Sequence, residues 1–310
     1  MEICEVTSGE YDTLFTSAAC FNKAAFNKLN AYRCDELFCL VFKDKKIRLG
    51  LVAGLQGKCL SSPFSAPFGG FATKDSNIQI TYIEESVDLL EQFCRERHLS
   101  SVNMTLPPLF YDPTFLTKVM HVLYRKQWRL NQVDLNFFYN LTDKQPTHSK
   151  LTYSARKNLN VALKQPFTFE KGNTSDHLAA AYEIIRQNRA LKGFPMRMTG
   201  LQMQETSTVV SIDSFLIRYN GMPVAAAIVY QVTPTIIQVV YWGDLPEFAP
   251  FRTMNYLTNK LFTFYAEKGY SLIDVGTAMH GSIPNYGLCE FKESVGSDIL
   301  PRCAFVKELY

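Results

Sequence analysis

Apolar residues recur at three- and four-residue intervals through Tyr11, Leu14, Phe15, Ala18, Phe21, Ala25 and Leu29, with Ser8-Gly9-Glu10 ahead of them as a start signal. The spacing predicts one or two helices over residues 10–30. Two continuous apolar runs follow, 36–42 and 47–53, around the polar turn Lys43-Asp44-Lys45-Lys46, and read as a β-hairpin. The stretch 59–71 carries too many prolines and glycines for regular structure, yet is unusually apolar for a loop. A helix is expected over 78–98, with Ile83, Val87, Leu90 and Phe93 on one face. Strand 101–106 is stopped by Pro107-Pro108, a short helix covers 114–124, and 133–139 alternates as a half-buried strand does.

The polar, proline-bearing connector 143–148 suggests a boundary, giving domains 1–145 and 146–310. Beyond it lie a basic helix over 151–163 and a helix over 175–191, which Lys192-Gly193-Phe194-Pro195 ends. Asn220-Gly221 between the apolar runs 211–218 and 222–232 marks a tight hairpin, because both residues tolerate positive φ. Strand 235–242, helix 253–268, strand 269–276 and a last strand over 303–306 complete the chain. The second half repeats the order of the first: helices, hairpin, helix, strand, irregular segment, strand. No residue period accompanies this repeat of architecture. The fold class is therefore α/β with mixed sheets, in two similar units.

Composition narrows the class. The chain has 310 residues, 47% hydrophobic and 13% aromatic, enough for a sizeable core. A net charge of +3 is too mild for a dedicated DNA-binding protein, though basic patches suited to phosphate remain open. Eight cysteines occur singly, without a CxxC pair, and read as buried apolar side chains in a reducing compartment. No apolar run reaches the ~20 residues that span a bilayer, and no leader is visible, so a cytoplasmic protein is expected.

The chemistry centres on 269–276 and 286–296. Asp274 and Gly276 end a short buried strand, and Lys292 stands alone in an apolar, glycine-marked frame. One reading makes this a strand-loop-helix unit that offers a cation and backbone amides to an anion. The other makes Asp274 a turn cap and Lys292 a solvated surface charge. Gly69-Gly70 would either let amides approach a ligand or sit in a loop whose aromatics plug the core. His280 is a base or an exposed loop residue; Tyr241 is a cleft wall or core; Arg156 and Lys157 bind substrate or line a solvated helix face. No nucleophile triad and no metal-ligand motif is legible.

Taken together, Ser62-Pro63 with Pro67-Phe68-Gly69-Gly70, the 154–163 helix, Gly269-Tyr270 through Asp274-Val275-Gly276, and Phe291-Lys292 with Val295-Gly296 resemble the FemABX-type branch of the GNAT acyltransferases. The resemblance spans nearly the whole chain and implies two tandem GNAT-like domains. It also implies transfer of an acyl or aminoacyl group to an amine of a cell-wall or surface-polysaccharide precursor. Acyl-CoA or aminoacyl-tRNA would be a co-substrate, with no firmly bound cofactor and no metal. By position the resemblance makes Arg156 and Lys292 contacts to substrate phosphate, and Lys292 also a stabiliser of the oxyanion. The residues themselves add Asp274 and His280 to Lys292 as catalytic candidates, and Lys157, Gly69, Gly70, Tyr241 and Gly276 to Arg156 as substrate-binding ones. Two departures stand out. Residues 246–253 lack the glycine pair of an acetyl-CoA pyrophosphate turn, and Leu106-Pro107 replaces an Asp-Pro. Alternatives are an acyl-CoA-dependent N-acyltransferase acting on an amino sugar, and a GNAT-fold binding module without transfer chemistry.

Overall fold

A computed structural model describes residues 1–142, 147–194 and 196–309, without the side chains of Thr147, His148 and His280. The expected boundary at 145/146 lies outside the described residues. The chain forms two compact units, Met1–Leu135 with Leu300–Tyr310, and Asn136–Ile299.

In the first unit the chain runs through β1 (Glu2–Glu5), α1 (Ser8–Leu14), α2 (Ala24–Leu29), β2 (Glu36–Lys43) and β3 (Ile47–Gln56). It continues through β4 (Cys59–Ser62), β5 (Phe71–Thr73), α3 (Ile80–Glu96), β6 (Ser101–Thr105) and α4 (Pro113–Arg125) into β7 (Arg129–Asn140), whose residues from Asn136 onward belong to the second unit. Local chemistry sets the helix starts. Thr7 and Glu10 form a reciprocal capping box at α1, and the Asp112 carboxylate accepts from the Phe115 amide at α4. The stretch read as a loop, 59–71, thus begins and ends in strand. β1 to β4 are successively antiparallel, and β4 then pairs in parallel with β6 across the α3 crossover. The core gathers the apolar stripes of α3 and α4, such as Ile83, Val87, Leu90 and Val119, against Leu40, Leu51 and Val102.

The second unit contains α5 (Tyr153–Ala162), β8 (Phe167–Gly172), α6 (Ser175–Leu191), α7 (Gly200–Thr206), β9 (Ile212–Tyr219), β10 (Met222–Gln231) and β11 (Ile236–Asp244). It ends with α8 (Thr253–Glu267), β12 (Leu272–Thr277), the short strands β13 (Met279–His280) and β14 (Ile283–Pro284), and α9 (Tyr286–Ser294). β8 to β11 are again successively antiparallel, and β11 pairs in parallel with β12 across the α8 crossover. Asn220 and Gly221 take φ of 48° and 85°, the pair of positive values a tight hairpin needs. The far end of β7 closes the order by pairing antiparallel with β12.

β15 (Asp298–Glu308) pairs antiparallel with β6. The expected second domain runs to residue 310, whereas residues from Leu300 onward belong to the first unit. The reason is burial: Cys303, Phe305 and Leu309 insert into that unit's core. All eight cysteines are free thiols. Among the described residues, no helix is long and apolar enough to cross a membrane.

Candidate functional site

In the second unit, parallel pairing of β11 with β12 covers Ile236–Leu272, Ile237–Ile273 and Gln238–Asp274 and then stops, although β11 continues to Asp244. Both strands are irregular just past that point. On β11 the register jumps from Val239 opposite Val229 to Tyr241 opposite Ile228, leaving Val240 unmatched. On β12 it jumps from Asp274 opposite Phe138 to Gly276 opposite Phe137, leaving Val275 unmatched. An extra residue bends its strand and increases the twist, so each strand follows its outer neighbour and the two part company. The parting lies at the carboxyl ends of two parallel strands, the position where α/β sheets place ligands.

Where the strands part, the sheet carries a row of buried polar side chains, which forms its polar floor. Asp274 is 0% exposed, and its carboxylate accepts from Asn136 Nδ2 (2.9 Å), Gln238 Nε2 (2.7 Å) and the Gly276 amide (2.8 Å). These donors offset the desolvation that a lone buried carboxylate would suffer. Because Gln238 Nε2 must face the carboxylate, its Oε1 points the other way, and it is buried without a partner.

Lys292 approaches the same segment from α9 and is 2% exposed. Its Nζ donates to three successive carbonyls, Val275 (2.7 Å), Gly276 (3.0 Å) and Thr277 (3.0 Å). An ammonium has three N–H groups, and all are used here. Burial pushes the Lys292 pKa down to about 7, against the opposing pull of Asp274. Gly276, at φ of 70°, is held on both sides, its amide by Asp274 and its carbonyl by Lys292. The pair thus fixes the end of β12 as a clamp.

Above the floor, the free-running part of β11 carries Tyr241 and Trp242. Trp242 meets Phe291 of α9 edge-on at 5.9 Å, and the Arg189 guanidinium lies 5.5 Å from the centre of the Tyr241 ring. Asn188 ties the end of α6 to this strand by donating to the Asp244 carbonyl at 2.5 Å. Among the described residues, no group of three or more His, Cys, Asp or Glu is placed to hold a metal ion.

No protein-family model matches the chain, and no curated protein matches it. Solved structures do. FemX superposes with a TM-score of 0.74 at 11% identity, covering 100% of this chain and 98% of that one. A tandem GNAT protein from the clavulanic acid biosynthesis pathway gives 0.56 at 7% identity, covering 100% and 98%. The fold is the tandem GNAT fold of the FemABX type. The C-terminal domain of a putative lysylphosphatidylglycerol synthetase from Agrobacterium fabrum is also similar, with a TM-score of 0.65, 14% identity, and coverage of 97% and 92%.

Within this FemABX-type fold the expected site residues divide. Asp274, Gly276, Lys292 and Tyr241 gather at the end of β12 and the free part of β11. Among them, Lys292 Nζ donates to three backbone carbonyls and the Gly276 amide donates to Asp274. Lys292 is not a solvated charge, because its Phe-Lys-x-x-Val-Gly frame lies on a helix that turns it inward. The Gly69 amide donates to Thr105 O at 2.8 Å and the Gly70 amide to Ser62 Oγ at 3.0 Å. Their loop plugs the first unit's core, with Phe68 0% exposed.

Arg156 and Lys157 lie on the open face of α5, and Arg156 folds back to donate to the Leu151 carbonyl at 3.0 Å. The opposite face of α5 packs on α9 through Leu151, Ala155 and Leu159 with Phe291 and Val295. The His280 side chain lies outside the described residues. Sequence reading missed Asn136, Gln238 and Arg189. A lone glutamine inside Ile-Ile-Gln-Val-Val is the signal that points to the buried row, since such a side chain requires a buried partner.

Proposed function

We propose that the chain is an acyl- or aminoacyltransferase that moves an activated acyl group onto an amine of a cell-wall or surface-polysaccharide precursor. The observation that carries this reading is the parting of β11 from β12 over a pinned polar floor, in a fold like that of FemX. The likeness to a domain of a putative lysylphosphatidylglycerol synthetase supports the aminoacyl version. The reaction requires a neutral amine, an acyl carbonyl within reach, and donors for the oxyanion that forms when the amine attacks. Proximity supplies much of the rate once both substrates share one crevice.

In this reading Asp274 and Lys292 keep the β12 end rigid, and Tyr241 forms a wall against which the acyl group lies. Arg156 and Lys157 offer charge to substrate phosphate from the open face of α5. The donor is acyl-CoA or aminoacyl-tRNA, bound as a co-substrate, and the work is done in the cytoplasm. Acyl-CoA as donor and an amino sugar as acceptor would make the protein an N-acyltransferase of the same kind.

A second reading, a binding module without transfer chemistry, is favoured by the commitment of the Gly69, Gly70 and Lys292 donors to the protein itself. The test is thermal unfolding with acyl-CoA, aminoacyl-tRNA and nucleotide-sugars, followed by mass spectrometry for acylated product. A ligand at a hundred times its dissociation constant stabilises by ~2.7 kcal/mol. A shift with product supports the transferase; a shift without product supports the module. No shift with any of the three ends both.

A further inference from the structure

Most arginines whose surroundings are described here have an acidic partner. Arg186 grips Glu183 through two bonds of 2.7 Å, Arg218 holds Glu170 at 2.6 Å, and Arg302 holds Asp134 at 2.6 Å. Arg189, one turn beyond Arg186 and in the last turn of α6, is different. Among the described residues no carboxylate lies within ion-pair distance of it, and its Nε is buried without an acceptor. Its recorded neighbours are the face of Tyr241, 5.5 Å from the guanidinium carbon, and a second cation, Arg197. Burial and Arg197 both press against its charge. A last-turn arginine complements the helix dipole, but that role needs neither burial nor a cationic neighbour.

A guanidinium that is partly desolvated, laid over an aromatic ring and set near a like charge is relieved when an anion arrives. The ring attracts the cation at 5.5 Å without using its N–H groups, and a guanidinium's paired N–H donors have the geometry that matches phosphate oxygens. Tyr241 belongs to the part of β11 that has already left β12, so this fork stands at the crevice.

We propose that Arg189, seated on Tyr241 with Arg197 nearby, is a phosphate-binding site of the crevice and takes a phosphoryl group of one of the two substrates. The proposal rests on the transferase reading for its ligand, since either the acyl donor or the precursor would bring the phosphate.

Titration calorimetry with inorganic pyrophosphate on the full chain tests it directly, on wild type, Arg189→Ala, Arg189→Lys and Arg186→Ala. Wild type and Arg186→Ala should bind alike. Arg189→Ala should lose about 10- to 100-fold in affinity, the worth of a bond to a charged group. Arg189→Lys should fall between, because it keeps charge and loses the fork. Circular dichroism melts of each variant separate lost binding from lost folding. Competition by coenzyme A alone would assign the phosphate to the donor, and competition by UDP-N-acetylglucosamine alone to the acceptor; either supports the site. Equal affinity in wild type and a folded Arg189→Ala, or no binding to wild type at millimolar pyrophosphate, overturns it. Loss of pyrophosphate binding in Arg189→Ala, with no acyl transfer found for any donor, would leave this site standing and remove the transferase reading.

Discussion

The two units place a parallel strand pair at the same step of their topology, and one pair is sealed while the other is open. In the first unit β4 stays with β6 over its whole length, from Cys59 opposite Ser101 to Ser62 opposite Met104. The loop that follows turns inward. Ser62 Oγ donates to Val52 O at 2.7 Å and accepts from the Gly70 amide, Asn22 Nδ2 donates to Gly70 O at 2.9 Å, and Phe68 packs against Phe21 and Tyr111. In the second unit, β11 and β12 separate after three pairs, and the chain leaving β11 packs Phe248 against Tyr219 and Phe251. Topology alone therefore does not make a site. An apolar loop covers one junction by burying its aromatics, while two neighbouring bulges above a buried polar row end the pairing at the other.

That contrast can be broken from either side. Asp274→Ala should have the largest effect, because it strips the partner from Asn136, Gln238 and the Gly276 amide and leaves Lys292 the only charge in a buried site. A loss of about 3–5 kcal/mol in urea unfolding is expected. A variant as stable as wild type would show that the polar floor does not hold the second unit's crevice.

The pH dependence comes next. Burial lowers the Lys292 pKa to about 7 in the folded protein, from 10.5 for an ordinary lysine. Between those values the unfolded chain binds the proton and the folded one does not, so this group adds stability as pH rises from about 7 towards 10.5. Below pH 7 the burial penalty is present in full. Lys292→Met should flatten this rise in the melting temperature measured against pH. An unchanged slope would mean that the three carbonyls hold the ammonium charged across the window.

Smaller effects sharpen the comparison. Ser62→Ala should cost about 1–3 kcal/mol, since it orphans a buried amide and a buried carbonyl in the sealed junction. Ligand affinity in the second unit should be unmoved, and a matching loss of affinity would undo the distinction drawn between the junctions. Gly276→Ala, at a positive φ with open space around the position of the new methyl, should cost about 1–2 kcal/mol from backbone strain alone. Hydrogen exchange at the end of β12 would report it as faster opening of that segment.

Much of the fold was legible because its signals are local. The 175–191 helix follows from its apolar spacing and an oxygen-bearing cap at Thr174, and the 220–221 turn from a residue pair that accepts positive φ. The Asp274 to Lys292 stretch was legible as chemistry but not in its direction. A lysine in an apolar frame is solvated or buried depending on what lies beneath its helix, and only the folded chain puts three carbonyls there.

The alternation of apolar and polar residues determined which segments became strands and helices, and their order determined two similar α/β units, because these depend on neighbours a few residues apart. Tertiary structure alone decided that the final strand serves the first unit, that Asn136 and Gln238 meet Asp274, and that one junction opens while its counterpart closes. Those outcomes depend on residues tens to hundreds of positions apart coming within a few ångströms, and no local pattern encodes that distance.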